Sequence, residues 1–153
     1  MIAEMPGITP DKLHPRITET AKRFWAIYVI FTVTEVLLLW LGEMDFFESV
    51  CHSFATMATG GFSTRNDSIA AFMPYSQYVI IVFMFFAGTN FTLHYFAMHR
   101  QFNKVRSNEE FRMYFWIIAI ISVFIALGLT IVDGLNIEMS FRDSLFTVVS
   151  ILT

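Results

Sequence analysis

Charged residues are scarce in this sequence and unevenly spread. They make up 15% of its 153 residues, whereas about 25% is usual for soluble domains. No Asp, Glu, Lys or Arg lies between Asp67 and Arg100, and hydrophobic residues make up 56% of the chain. This composition excludes an ordinary soluble domain and is typical of a membrane protein. The single cysteine, Cys51, excludes an internal disulfide.

Sequence patterns of catalysis and cofactor binding are also lacking. There is no phosphate-binding loop, no serine–histidine–acid set and no pair of catalytic carboxylates, so neither an enzyme nor a cofactor is predicted. Nothing predicts nucleic-acid binding. Cys51 and His52 are neighbours, and His94 and His99 lie five residues apart, which are spacings that disfavour a metal site. Residues 1–23 are polar and lack the apolar core of a signal peptide.

Three long apolar stretches predict membrane-spanning helices: residues 24–42, 75–98 and 113–132. A helix rises 1.5 Å per residue, so the first stretch spans about 28 Å, close to the ~30 Å hydrocarbon core. Gly88 is a predicted flexion point within the second stretch. The expected fold class is an all-α membrane protein with three transmembrane helices.

Local signals predict where the helices start and stop. Thr9 and Pro10 predict a helix start near the amino terminus. Pro15 predicts an end or kink, with a helix restarting after it and continuing into the first span. Ser107, with Glu110 three residues on, predicts a capping box ahead of the third span.

Basic residues favour one orientation of the chain. Eight lie before the first span or between the second and third, and two lie on the opposite side. Because cytoplasmic loops are enriched in Lys and Arg, the amino terminus and the 99–112 linker are predicted to be cytoplasmic. The eight are Lys12, Arg16, Lys22, Arg23, Arg100, Lys104, Arg106 and Arg112, and the two are Arg65 and Arg142.

The segment between the first two spans predicts a re-entrant loop. Its apolar run, 46–57, is too short to cross a membrane, and both ends of the segment must return to one face. A half-helix followed by an extended return satisfies both conditions, provided that protein or a water-filled cavity surrounds it. Asp45, with Glu48 three residues on, predicts an acidic, cap-like start of this half-helix.

The same design occurs twice. Residues 43–49 and 138–144 share four identical positions, and each string follows an outward-going span. The second copy reaches Thr153 without a filter or closing helix, so we expect one whole repeat and part of another. The predicted divisions are a cytoplasmic linker helix over 1–23, a complete helix–pore-loop–helix repeat over 24–98, a cytoplasmic linker over 99–112 and a partial repeat with a second pore half-helix over 113–153.

The string Thr59-Gly60-Gly61-Phe62 follows the first half-helix and is the candidate ion site. Adjacent glycines free the backbone from ordinary steric limits, so carbonyl oxygens can point inward and replace the water shell of an ion. The half-helix is expected to aim its negative carboxyl end, at Ala58, towards the same axis. A lone glycine pair more often marks a turn between a surface helix and a loop. The re-entrant geometry, the repeat and the flanking spans together favour a filter that forms one quarter of a potassium pore.

Two carboxylates are secondary candidates. Glu35 is the one charge within the first span. A buried acid there is either functional or part of an interhelical hydrogen bond, and the sequence leaves both interpretations open. Asp67 follows the filter and is a candidate for attracting cations to the outer mouth, although a solvated turn is the simpler interpretation.

Five strings are characteristic in combination: Glu4-x-Pro6-Gly7, Lys12-Leu13-x-Pro15-Arg16, Thr20-Ala21-Lys22, His52-x-Phe54-Ala55-Thr56-x-Ala58-Thr59-Gly60-Gly61-Phe62-Ser63 and Asn90-Phe91-x-Leu93-His94. With them the chain resembles the TrkH/KtrB (Trk/Ktr/HKT) superfamily of potassium transporters, in its TrkH branch. The resemblance covers most of residues 4–100, and the filter string is its most specific part.

The resemblance implies four helix–pore-loop–helix repeats in one chain around a central pore, as in a potassium channel. This sequence then corresponds to the second repeat and the start of the third, and the other filter segments fall outside it. Gly61 takes the filter glycine position associated with potassium selectivity, and K+ binds to the backbone of 59–62. The resemblance further implies a multi-pass protein of the bacterial cytoplasmic (inner) membrane. Its implied partners are the rest of a longer chain, a second copy in a homodimer and a cytosolic nucleotide-binding regulatory subunit of the TrkA type.

The alternative is a small membrane scaffold or assembly protein whose 43–64 loop docks at the membrane interface. The downstream coding sequence discriminates between the two. A reading frame that continues into another Thr-x-Gly-Phe string and a closing helix supports the transporter.

Overall fold

The protein is mainly helical in the part that its computed structural model describes, residues 10–132, 134 and 136–153, with side chains from residue 18 onward. No strand occurs in these residues. The all-α membrane fold expected from the sequence is confirmed. The helices are α1 (Pro10–Leu41), α2 (Phe46–Met57), α3 (Pro74–Ala87), α4 (Phe91–Met98), α5 (Phe102–Arg106), α6 (Glu109–Val132) and α7 (Ile137–Leu152), with a 3-10 turn at Ser68–Ala71.

The first helix, α1, is uninterrupted. It passes through Pro15, so the end and restart predicted there are wrong. Proline removes one backbone hydrogen bond from a helix, and here it falls in the second turn, where the bonds of the following turns still hold the helix together. The part from Thr18 to Leu41 is long and apolar enough to cross a membrane. The start predicted at Thr9 lies outside the described residues.

The second full-length span is α6, which runs over 24 residues. Asn108 caps it, because its side-chain oxygen accepts the backbone N–H of Phe111 at 2.9 Å. The capping box predicted from Ser107 is therefore wrong by one residue. The hydroxyl of Ser107 instead donates to the carbonyl of Lys104, at the end of α5.

The second apolar stretch folds as two helices rather than one. α3 and α4 meet at 102° across the break between them, so the single helix predicted over 75–98 is wrong, although Gly88 does lie at the bend. Asn90 caps α4 by accepting the N–H of Thr92 at 3.0 Å. His94 Nε2 lies 2.9 Å from the carbonyl oxygen of Phe86 near the end of α3, and the backbone N–H of Thr89 donates to the same oxygen at 3.1 Å. If the bent pair counts as one span, the described chain has three spans, and otherwise two.

The half-helices α2 and α7 both pack against α3. α2 also contacts α1, and α7 also contacts α6. α7 is the counterpart of α2 that the repeat predicts, although it begins about one turn before the matching position. The core among these helices includes Leu39, Ile80, Ile81 and Val149. The two half-helices therefore converge on one helix, while the four-part division of the sequence stays a prediction.

Candidate cation filter

Two hydrogen bonds close the carboxyl end of α2. The N–H of Gly60 donates to the carbonyl of Ala55 at 2.8 Å, and the N–H of Thr59 donates to the carbonyl of Thr56 at 3.0 Å. This pattern is a Schellman motif, in which the turn residue takes a left-handed conformation that favours glycine. Here the turn residue is Thr59, with a φ of +50°. A β-branched residue in this conformation is strained, and such strain clusters at functional sites.

The string 59–62 leaves α2 without joining a regular element. Gly61 has a φ of +67°, and a β-carbon added there meets no atom within 4 Å beyond its chain neighbours. The side chain of Phe62 is 81% exposed. Within the described chain, the carbonyl oxygens of Thr59, Gly60, Gly61 and Phe62 accept no hydrogen bond. These four oxygens are free acceptors beside the negative end of a helix dipole.

A cavity of about 430 Å³ lies beside this string. All four residues of 59–62 line it, as do Thr56 near the end of α2 and Thr153 at the end of α7. The structure thus brings the predicted filter residues together, and it brings both half-helix ends to the same space. Backbone oxygens and negative helix ends favour a cation there over an anion.

The three secondary candidates are not among the described residues that line the cavity. Ala58 is exposed at the end of α2, and Asp67 is exposed just before the 3-10 turn, which its side chain does not cap. Glu35 is 0% exposed. Neither of its carboxyl oxygens has a hydrogen bond of ordinary geometry, and the Thr56 hydroxyl is its polar neighbour. Glu35 therefore lies behind α2, and its role stays a prediction.

An ion pair ties α2 to the segment after the filter. Arg65 donates from Nε to Oε1 of Glu48 at 2.9 Å and from Nη2 to Oε2 at 3.3 Å. The bonds from Arg65, with a smaller contribution from the backbone N–H of Asp45, lower the pKa of Glu48. The carboxylate in turn raises the pKa of Arg65.

This ion pair was not predicted from the sequence. α2 does begin after Asp45, as expected, but the Asp45 side chain makes no capping hydrogen bond. Glu48 serves instead as the partner of Arg65, 17 residues away. The only signal for it in the sequence is that Arg65 is one of the two basic residues on its side of the membrane.

The histidines with described side chains all make hydrogen bonds to other groups of the chain. His52 Nδ1 lies 2.7 Å from the carbonyl of Glu48, and His99 Nδ1 lies 3.0 Å from that of Tyr95. His94 bonds to the end of α3, as described above. No three His, Cys, Asp or Glu side chains among the described residues are placed to hold a metal ion. The ring nitrogens of the described histidines therefore bond to backbone and side-chain groups of this chain.

Comparison with known proteins gives consistent matches. Residues 7–118 match the family described as "TrkH: Cation transport protein". The chain is 46% identical over 115 residues to the Trk system potassium uptake protein TrkH of Escherichia coli strain K12, covering 73% of this chain and 24% of that protein. It is 35% identical over 153 residues to the TrkH protein of Halomonas elongata, covering 98% of this chain and 32% of that protein.

The fold also has a counterpart among solved structures. The crystal structure of the potassium transporter TrkH from Vibrio parahaemolyticus matches with a TM-score of 0.82 at 33% sequence identity. The match covers 96% of this chain and 31% of that one. The chain therefore spans about a quarter to a third of the length of these relatives.

Proposed function

The chain belongs to the TrkH family of cation transport proteins, and from this membership we propose that it supplies one pore segment, and the start of a second, to a protein that takes up potassium. The family consists of transporters and not of enzymes, so the proposed activity is ion movement without covalent chemistry. The potassium uptake proteins among the relatives support potassium as the cargo. Family membership also favours this function over the membrane scaffold.

The observation that carries this proposal is the set of four free carbonyl oxygens at 59–62, beside the cavity and the end of α2. A cation that leaves water loses the oxygens of its hydration shell, and backbone carbonyls replace them. One segment faces an ion from one side only. In our proposal, equivalent segments of a longer chain supply the other sides, four repeats surround one axis, and α7 leads into the next filter segment.

The proposal includes an orientation and partners. The amino terminus and the 99–112 linker face the cytoplasm of a bacterial inner membrane, and ions enter the filter from outside. The distribution of basic residues supports this orientation. A homodimer and a nucleotide-binding subunit of the TrkA type rest on the family resemblance alone, and the basic 99–112 linker is the surface that we assign to the cytosolic partner.

Substitution of Gly61 in the full-length transporter tests the filter. Serine has a β-carbon, so the left-handed backbone at position 61 is less favourable for it than for glycine by roughly 1 kcal/mol or more. We therefore expect the ratio of K+ to Na+ uptake in Gly61→Ser to fall at least about fivefold. The matched control is Gly134→Ser, since Gly134 has a φ of +64° and equally open surroundings but lies before α7. Ion uptake into proteoliposomes measures both variants. Equal K+/Na+ ratios in wild type and Gly61→Ser, at equal protein abundance, contradict the proposal.

A further inference from the structure

The filter string is fixed at both ends to the same helix, and we propose that His52 is the positioning residue that sets its ion selectivity. His52 does so by holding Ser63, the residue directly after the filter, against α2. This inference rests on the proposed function, because it assigns the selectivity of that same filter to a side chain behind it.

The ring of His52 makes two hydrogen bonds that fix its tautomer. Its Nδ1 lies 2.7 Å from the carbonyl oxygen of Glu48, which can only accept, so Nδ1 carries the proton. Its Nε2 lies 3.0 Å from Oγ of Ser63, and in an imidazole with its single proton on Nδ1 this nitrogen accepts the serine hydroxyl. His52 is 2% exposed, and burial of this kind strengthens a hydrogen bond relative to one in water.

Ser63 links His52 to the residues that follow the filter, because it bonds to both His52 and Arg65. While its hydroxyl donates to His52, its oxygen accepts the backbone N–H of Arg65 at 3.2 Å. The guanidinium of Arg65 lies over the ring of Phe72, 4.6 Å from the centroid, and the same ring meets His52 edge to face at 5.3 Å. Together with the ion pair to Glu48, these contacts hold the residues after the filter at a fixed place on α2.

The other end of the filter is fixed by the bond from Gly60 to Ala55. Only Gly61 and Phe62 separate this anchor from Ser63. With so short a connection between two anchors on one helix, the direction of the intervening carbonyls depends on both anchors. Loss of the second anchor leaves the carbonyls free to rotate, and a filter that adapts its size discriminates less between K+ and Na+.

Variants on both sides of the His52–Ser63 bond test this role in the full-length transporter. Ser63→Ala and His52→Leu each remove the bond, and we expect each to lower the K+/Na+ uptake ratio by roughly threefold to tenfold, the effect of losing one hydrogen bond. The double variant is expected to lose little more than either single variant, because both remove the same interaction. His52→Gln keeps an acceptor for the Ser63 hydroxyl and is expected to retain most of the selectivity.

A residue that merely fills space gives a different pattern. In that case His52→Leu and Ser63→Ala both keep the wild-type K+/Na+ uptake ratio, or His52→Gln lowers the ratio as much as His52→Leu does. Any of these results, at normal protein abundance, overturns the proposal. Thr130→Ala is the control, since its hydroxyl bonds to the backbone carbonyl of Ala126 within α6. If Gly61→Ser alters the ratio and Ser63→Ala does not, the filter stands and only the role of His52 fails. If neither does, the proposed function fails as well.

Discussion

Gly88, at the bend between α3 and α4, lies directly against Thr153 at the end of α7. A β-carbon built on Gly88 falls 2.6 Å from Cγ2 of Thr153 and 2.5 Å from the hydroxyl oxygen of Tyr114 in α6. Such distances are shorter than packed carbon atoms allow. The absence of a side chain at Gly88 therefore lets the bend, α6 and the second half-helix pack as one unit.

We predict that Gly88→Ala destabilises the protein by about 1–3 kcal/mol, the usual cost of overpacking. Thermal unfolding of the full-length protein in detergent measures this change. Gly128→Ala is the matched control, because Gly128 lies within α6 with nothing within 4 Å of an added β-carbon. It is expected to stabilise the helix by up to about 1 kcal/mol. Equal melting temperatures for Gly88→Ala and wild type mean that Thr153 and Tyr114 move aside at no cost.

Glu35 provides a test of whether its charge or its volume matters. It is fully buried in α1 without an ion-pair partner in the described chain. Since an isolated charge in such a place costs several kcal/mol, the neutral acid is the form that fits. We predict that Glu35→Gln, which keeps volume and neutrality, leaves abundance and uptake close to wild type. Glu35→Ala is expected to lose roughly 2 kcal/mol or more of stability through the cavity it leaves.

Potassium uptake normalised to protein abundance measures the effect of Glu35→Gln, and thermal unfolding in detergent measures the stability lost in Glu35→Ala. Loss of uptake in Glu35→Gln at normal abundance contradicts the prediction. That result assigns the carboxyl group a direct part in transport.

The ion pair between Glu48 and Arg65 predicts how selectivity depends on external pH. Arg65 lowers the pKa of Glu48, so the stabilisation is complete above the ordinary glutamate pKa of about 4.3 and is lost as pH falls through the lowered value. We expect a constant K+/Na+ uptake ratio from about pH 8 to pH 5 and a decline only below about pH 4.

Removal of Arg65 checks the assignment. In Arg65→Ala we expect the ratio to be lower by about twofold to fivefold at neutral pH, as for a partly exposed ion pair. Arg23→Ala, which removes an exposed ion pair with Glu19 in α1, is the control with an unchanged ratio. A wild-type ratio that already falls between about pH 7 and pH 5 points to a titrating group other than Glu48.

Long-range pattern was the reliable guide to this fold. α1 and α6 each contain an apolar run bounded by charge, and the sequence predicts α7 because residues 138–144 repeat the string 43–49 at the start of α2. The string 59–62 is the candidate filter because its glycines stand between a run too short to cross a membrane and the next span, and its role stays a prediction. These predictions depend on hydropathy and length, which tertiary contacts do not change.

The features that the sequence does not predict depend on individual hydrogen bonds and backbone conformations. The stretch 75–98 is uniformly apolar, so its hydropathy gives no sign of a bend that depends on the Asn90 cap and on His94. Thr59 occupies a turn position where glycine is usual, so its left-handed backbone contradicts residue preference. The bonds from Arg65 to Glu48 and from Ser63 to His52 join residues 17 and 11 positions apart, beyond any helical period.

The length of α2 has a consequence for how the protein is made. At 12 residues the helix extends only about 18 Å and carries an ionised Glu48 near its start. A helix this short cannot span the ~30 Å hydrocarbon core, and its charge disfavours release into lipid, so the translocon is not expected to insert it as a separate transmembrane segment. We therefore expect the half-helix to enter the bilayer only after α1 and α3 have been inserted and offer it a protein surface.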